Sequence, residues 1–234
     1  DLHSFPTRRS SDLLVTIKSN VANCQVISAT SSNLGRIYGS TAGEEYTEIG
    51  ALGSPEGNRA LAQTKLVLQG VVQEFDDDLQ NGTSIGPYTL KLKANYVSWG
   101  WDFDNDWNIL ETESFPYKKY QAAPPVVYEN LLVSKATTIS GKSLNDGTVY
   151  MYYKNRDAVS TVCNGHEWSF STEPLQSGAQ VRVYADVEGM TPSYFATSFV
   201  KYPGSGTEED PYRIYSAEDL QGASNRGYYK LMND

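Results

Sequence analysis

The stretch WDFDNDWNILETE, Trp101 to Glu113, decides how the first half of the chain is read. Asp102, Asp104 and Asp106 stand at the first, third and fifth places of a calcium loop, and Glu113 stands at the twelfth, where a bidentate carboxylate closes the cage. The sixth place needs glycine for a sharp turn and is Trp107 instead, and no helical periodicity flanks the segment. The four acids are candidate metal ligands on spacing alone. The aromatic residues between them give the structural reading, in which bulky rings are buried and the aspartates keep the loop hydrated.

Upstream, LVTIKSN, NCQVISATSSN and LGRIYGS are β-branched runs broken by small polar residues. Pieces this short cannot bury a core alone, so they read as faces of stacked coils, with Asn20, Asn23 and Asn33 at the corners. Gly43 to Gln63 reads as a glycine-rich loop with a helical turn at RALAQ. TKLVLQGVVQEF resumes the strand pattern. PYTLKLKANYVSWGWDF continues it, setting Tyr88, Leu90 and Leu92 on one face against Thr89, Lys91 and Lys93.

VANCQVISAT and the segment Ala94 to Pro125 together resemble the last coils and closing segment of bacterial surface proteins built from glycine-rich GLUG-type repeats on a right-handed, pectin-lyase-like parallel β-helix. Trp101, Phe103, Trp107, Ile109, Glu111, Ser114, Phe115 and Pro116 hold the places of that closing pattern, while Tyr117 to Tyr120 departs from its usual leucine. The resemblance implies that residues 14–121 are the C-terminal part of a β-helix. Its open end would be covered by Trp99, Trp101, Phe103, Trp107 and Phe115. Trp99, Tyr117 and Tyr120 form the candidate aromatic contact surface for carbohydrate.

Residues 122–130, with Pro124 and Pro125, read as a semi-rigid linker. Regular strands follow: ENLLVS, TTISGKS, GTVYMYYKN, AVSTVC, HEWSFS, AQVRVYADV and YFATSFVKY, separated by glycine- and asparagine-bearing turns. Val181, Val183, Ala185 and Val187 are expected to face inward, with Gln180, Arg182, Tyr184 and Asp186 outward. Ile139 and Gly141, then Asn164, Gly165, Trp168 and Phe170, then Leu175, Gly178, Val181, Val183 and Ala185 resemble the pattern of bacterial immunoglobulin-like domains of adhesins and cell-wall proteins. That likeness implies a β-sandwich over residues 131–202. His166 replaces the small residue usual in the pattern and reads as a solvated hairpin residue. Residues 203–234 resemble the entry to another β-helix, with Ser216 capping a helix through Ser-x-x-Asp. The expected fold class is therefore all-β: terminal coils of a parallel β-helix followed by an immunoglobulin-like β-sandwich.

Residues 1–13, back-translated, resemble a widely used sequencing adapter and are set aside as an artefact. The reading this implies is a fragment of an assembled read whose true start, with any signal peptide, lies outside it. The net charge of −9 argues against a phosphate backbone as partner. No apolar run approaches the roughly 20 residues of a membrane helix. Cys24 and Cys163 read as buried small side chains rather than a disulfide or metal pair. Seventeen tyrosines against seven phenylalanines suit exposed β-structure.

Neither a P-loop, a nucleophile elbow, an HExxH helix nor a CxxC pair is present. Asp76, Asp77 and Asp78 read as a solvated acidic corner. The expectation is a non-catalytic, monomeric bacterial protein, secreted or on the cell surface, without a cofactor. Its role would be spacing, adhesion or contact with carbohydrate or a cell-surface protein. The alternatives are a fragment of a polysaccharide-active β-helix enzyme with its groove in upstream coils, and a calcium-stabilised stalk.

Overall fold

The computed structural model describes residues 15–30, 34–39, 47–154, 156–221, 223 and 227–232. The adapter-like residues 1–13 and the corner asparagine Asn33 lie outside them. The described chain is all-β, with only two short helices and one 3-10 turn. It divides into two compact units between Asp104 and Asn105.

In the first unit, β1 (Val15–Ile17), β2 (Val21–Ala22) and β3 (Val26–Ala29) make one pass of the chain. The next pass brings β4 (Thr47–Ile49), β5 (Arg59–Leu61) and β6 (Lys65–Leu68), then β7 (Val71–Gln73) and β8 (Thr83–Ile85). Successive passes pair in parallel, β1 on β4, β2 on β5 on β8, and β3 on β6, with Ile27 opposite Leu66. Among the described strands of this unit only β7 runs antiparallel, returning from β6 through Gln69-Gly70, both at positive φ as a two-residue type I′ turn requires.

Asn20, read as a corner residue, lies just before β2 and is bonded to the next pass. Buried Asn58 accepts from the Asn20 backbone at 3.1 Å and side chain at 3.0 Å, and donates to the Ile17 carbonyl at 2.8 Å, so one amide ties two passes together. Cys24 is exposed, contrary to the sequence reading, while Cys163 is buried.

Two expectations of secondary structure also fail in this unit. Arg59–Leu61, read as a helical turn, is β5, the middle strand of its parallel ladder. A central parallel strand is buried on both faces and shows no alternation. The segment after β8 is a 3-10 turn (Thr89–Lys91) and α1 (Lys93–Ser98), not a strand. Of Tyr88, Leu90 and Leu92 only Leu90 is buried. The helix ends because Gly100 takes positive φ: Gly100 N donates to the Val97 carbonyl and Trp101 N to the Tyr96 carbonyl, a Schellman stop.

The second unit opens with a short antiparallel pair, β9 (Trp107–Asn108) and β10 (Tyr117–Lys118). Next come β11 (Val126–Val127), β12 (Thr138–Lys142), β13 (Gly147–Tyr153), β14 (Val159–Cys163), β15 (Glu167–Ser171), β16 (Gln180–Asp186) and β17 (Ala196–Phe199). They form two antiparallel sheets, ordered β11-β12-β15 and β14-β13-β16-β17. One cluster joins residues of both, among them Ile139, Trp168 and Phe170 from the first sheet and Val149, Val181 and Val183 from the second.

The expected strand ENLLVS is a turn; its place is taken by Val126–Val127 inside the segment read as a linker. Pro124 and Pro125 are buried rather than spanning solvent. Gly141 faces Val126 so closely that an added Cβ would collide with the Val126 carbonyl and the Trp168 ring, which accounts for glycine two residues after Ile139. Residues 105–121 belong with this unit. Tyr194 Oη accepts from Phe115 N and donates to Phe115 O, both at 2.9 Å, and Ala122 N donates to Thr191 O at 2.8 Å.

The last described elements are β18 (Tyr212–Ile214), α2 (Ala217–Gln221) and β19 (Tyr229–Leu231), with β18 and β19 parallel. Ser216 Oγ accepts from Asp219 N at 3.0 Å, the cap expected from Ser-x-x-Asp. Asp219 is buried, and accepts from Tyr215 N and Ser177 N.

Candidate functional site

On β13 and β16 alternate residues leave the core, so burying Val149, Met151, Val181 and Val183 sends Tyr150, Tyr152, Arg182 and Tyr184 to the outer face. The register puts Tyr150 opposite Tyr184 and Tyr152 opposite Arg182. Tyr150 and Tyr184 stack at 4.9 Å between centroids with planes 7° apart. Phe195, just before β17, meets Tyr184 edge-on at 5.2 Å and Tyr152 at 5.6 Å. The Arg182 guanidinium lies 5.3 Å from the ring centres of both Tyr152 and Phe195.

Cross-strand aromatic pairs of this kind contribute about 0.5–1.5 kcal/mol beyond their area. They also fix four rings and a guanidinium as one preorganised surface, with Phe195 still 44% exposed. At its edge a cleft of about 160 Å³ is lined by Tyr152, Lys154, Ala179, Gln180 and Arg182. Burial raises the Tyr184 phenol above its ordinary value, and Tyr152, Tyr150 and Asp186 add to the effect, so it stays a neutral donor and acceptor near pH 7. Chemically the face offers ring surfaces for apolar C–H groups, phenol hydroxyls as hydrogen-bond donors and acceptors, and cations at one end.

Sequence reading placed Tyr184 and Arg182 outward but gave them no contact role. The alternating tyrosines of TVYMYYK were the available signal; the cross-strand register that stacks Tyr150 on Tyr184 was not. The residues chosen instead are dispersed. Tyr117 is 4% exposed and its ring offers no contact surface, whereas Tyr120 is 63% exposed. Trp99 is half-buried in the first unit, covered by the Arg59 guanidinium at 4.2 Å. It packs with Trp101 and Phe103 around Tyr96, itself 1% exposed, at 5.1, 5.0 and 6.2 Å respectively. Trp101 Nε1 donates to the Ser19 carbonyl at 3.1 Å. Trp107 and Phe115, expected in the same cover, belong to the second unit, where Lys118 lies 3.9 Å over the Trp107 ring.

Three of the four calcium candidates use their carboxylates locally, and Asp104 takes part through its backbone N. Asp102 accepts from Asp104 N at 2.8 Å, Asp106 lies 3.9 Å from Lys118, and Glu113 pairs with Lys142 at 2.6 Å. Among the described residues no group of three or more histidines, cysteines or acids is placed to hold a metal ion.

The acidic run Asp76–Asp78 is not a solvated corner throughout. The Arg36 side chain is fully buried, and donates to Asp77 at 3.0 Å, Ser84 Oγ at 2.9 Å and the Gly82 carbonyl at 2.9 Å. Burial alone would raise Asp77; bonds from Ser84 and Arg36 instead hold it below the usual carboxylate range. His166 stands exposed on a turn with φ 67°, as the sequence suggested. No helix among the described residues is long and apolar enough to cross a membrane. No family model matches the chain, and no curated protein is significantly similar to it.

Proposed function

We propose that the chain is a non-catalytic piece of a bacterial secreted or cell-surface protein, and that its second unit carries a carbohydrate-contacting surface. In this reading the first unit is the end of a GLUG-type parallel β-helix. Support comes from three ladders in which successive passes pair in parallel, β1 on β4, β2 on β5 on β8, and β3 on β6. The second unit is an immunoglobulin-like sandwich, supported by its three-plus-four antiparallel strand order and a core drawn from both sheets. Residues 1–13 are adapter-derived.

The single observation that carries the contact role is the aromatic face of Tyr150, Tyr152, Tyr184 and Phe195. Exposed tyrosine suits a strand on propensity alone; what marks this face is that its rings contact one another as a continuous group with polar tips, the kind of surface that interfaces enrich. Rigid rings bind at low entropy cost because two torsions each are already fixed. A glycan array probed with the full chain tests it. Retention on a defined glycan set, weakened about tenfold or more by Tyr184→Ala, is expected from loss of a central aromatic anchor. Equal retention of wild type and Tyr184→Ala contradicts it.

A further inference from the structure

We infer that the carbohydrate taken by this face is acidic, a polysaccharide bearing carboxylates, with one carboxylate seated at Arg182 and Lys154. The inference rests on the glycan-contact reading above and adds a chemical class to it.

The argument begins with charge. The chain carries −9 overall, and several of its cations are already committed: Lys18, Lys118, Lys142, Lys201 and Arg213 each lie within ion-pair distance of a carboxylate. Among the described residues Arg182 and Lys154, like Lys65, Lys135 and Arg156, have no carboxylate within ion-pair distance; what sets these two apart is that both line the same cleft, where the Lys154 ammonium also lies 5.4 Å from the Tyr153 ring centre.

Geometry then fixes what the cations can receive. The Arg182 guanidinium lies 5.3 Å from the centres of both the Tyr152 and Phe195 rings, beside a pair that touches edge-on at 5.6 Å, and these contacts restrict its planar fork before any ligand arrives. A preoriented guanidinium suits a planar carboxylate, which it can bind through two parallel hydrogen bonds. The Gln180 amide beside it supplies a neutral partner for a neighbouring hydroxyl. The cleft admits a ring-sized group, not an extended ligand, so the remainder of a polymer must run along the adjoining ring face.

The face is also graded. Asp186 is the acid on the outward row of β16, and the register sets it opposite Thr148, two pairs beyond Tyr150 and Tyr184 from Arg182's side. Four residues of strand are about 13 Å. A carboxylate is thus attracted to one end and repelled from the other, which gives the bound chain a direction. Nucleic acid is the other polyanion to consider; the net charge of −9 opposes a ligand with a charge at every residue, whereas a local cationic pair suffices for spaced carboxylates.

The test is affinity gel electrophoresis of the full chain with hyaluronate, heparosan and unsulfated chondroitin, polymers with a carboxylate on every second sugar, each beside its carboxyl-reduced neutral counterpart. At least one acidic polymer is expected to bind ten times or more tighter than its reduced form. The preference should shrink to about twofold in Arg182→Gln and in Lys154→Gln, while Tyr184→Ala weakens both forms alike. Circular dichroism and melting of each variant check that the fold survives. Equal binding of a polymer and its reduced form overturns the acidic assignment and leaves the carbohydrate reading standing. Failure of all six polymers, together with an empty glycan array, overturns both. Self-association of the chain that vanishes in Tyr184→Ala also overturns the assignment, because the face would then be occupied by a second copy.

Discussion

Tyr150 and Tyr184 face each other across β13 and β16 with centroids 4.9 Å apart and nearly parallel planes, on the side of the sheet that the core does not use. A cross-strand ring pair stabilises by about 0.5–1.5 kcal/mol, a small share of a domain's stability. Tyr184→Ala is therefore expected to lower the melting temperature of the second unit by only a few degrees. Calorimetry checks this; collapse of the fold would mean that the rings serve chiefly as structure.

The buried Arg36 guanidinium depends on Asp77, whose side chain is 42% exposed. Asp77→Asn leaves the cation without its charge partner and is expected to cost about 1–3 kcal/mol, less than a fully buried pair because water reaches the carboxylate side. The folded carboxyl lies below its ordinary value, so its contribution is complete above the unfolded pKa and disappears as pH falls through the folded one. Urea melts between pH 6 and pH 2 should show an acid loss in wild type that is shallower in Asp77→Asn.

Tyr194 gives the opposite limb. Its hydroxyl is buried against both backbone groups of Phe115, and burial pushes the phenol far above its ordinary value. A folded pKa above the unfolded one means that the contribution is intact below about pH 10 and is lost as pH rises beyond it. Tyr194→Phe is expected to flatten the alkaline unfolding limb and to cost about 1–3 kcal/mol at pH 7, since it leaves two backbone groups unpaired. An unchanged alkaline limb in that variant would falsify the assignment.

Gly141 meets the Val126 carbonyl and the Trp168 ring where a Cβ would sit. Gly141→Ala should destabilise the second unit by about 1–3 kcal/mol through overpacking. Gly165→Ala, at a turn with open space around it, should cost less, through its positive φ alone. Denaturant midpoints of the two variants decide the order.

The strands of the second unit were legible because each carries its own alternation: EWSFS and QVRVYAD bury every other residue. Val126–Val127 was hidden because an edge strand of two residues beside two prolines carries no period. In the first unit the alternation of TLKLK pointed the wrong way. What governs there is a helix stop, Trp99-Gly100-Trp101, and a buried Tyr96 whose hydroxyl donates to the Leu90 carbonyl at 2.8 Å. The aromatic face lay beyond sequence reading for a different reason. Tyr150 and Tyr184 are thirty-four positions apart, and only strand register brings them together.

The most direct measurement is a two-dimensional NMR titration of the full chain with a polysaccharide that the array or gels select. Amide and ring signals of Tyr150, Tyr152, Arg182, Tyr184 and Phe195 should shift together and saturate at one ligand concentration. Shifts confined to Trp99, Trp101 or Tyr120, or none anywhere, would contradict a carbohydrate surface on the outer sheet.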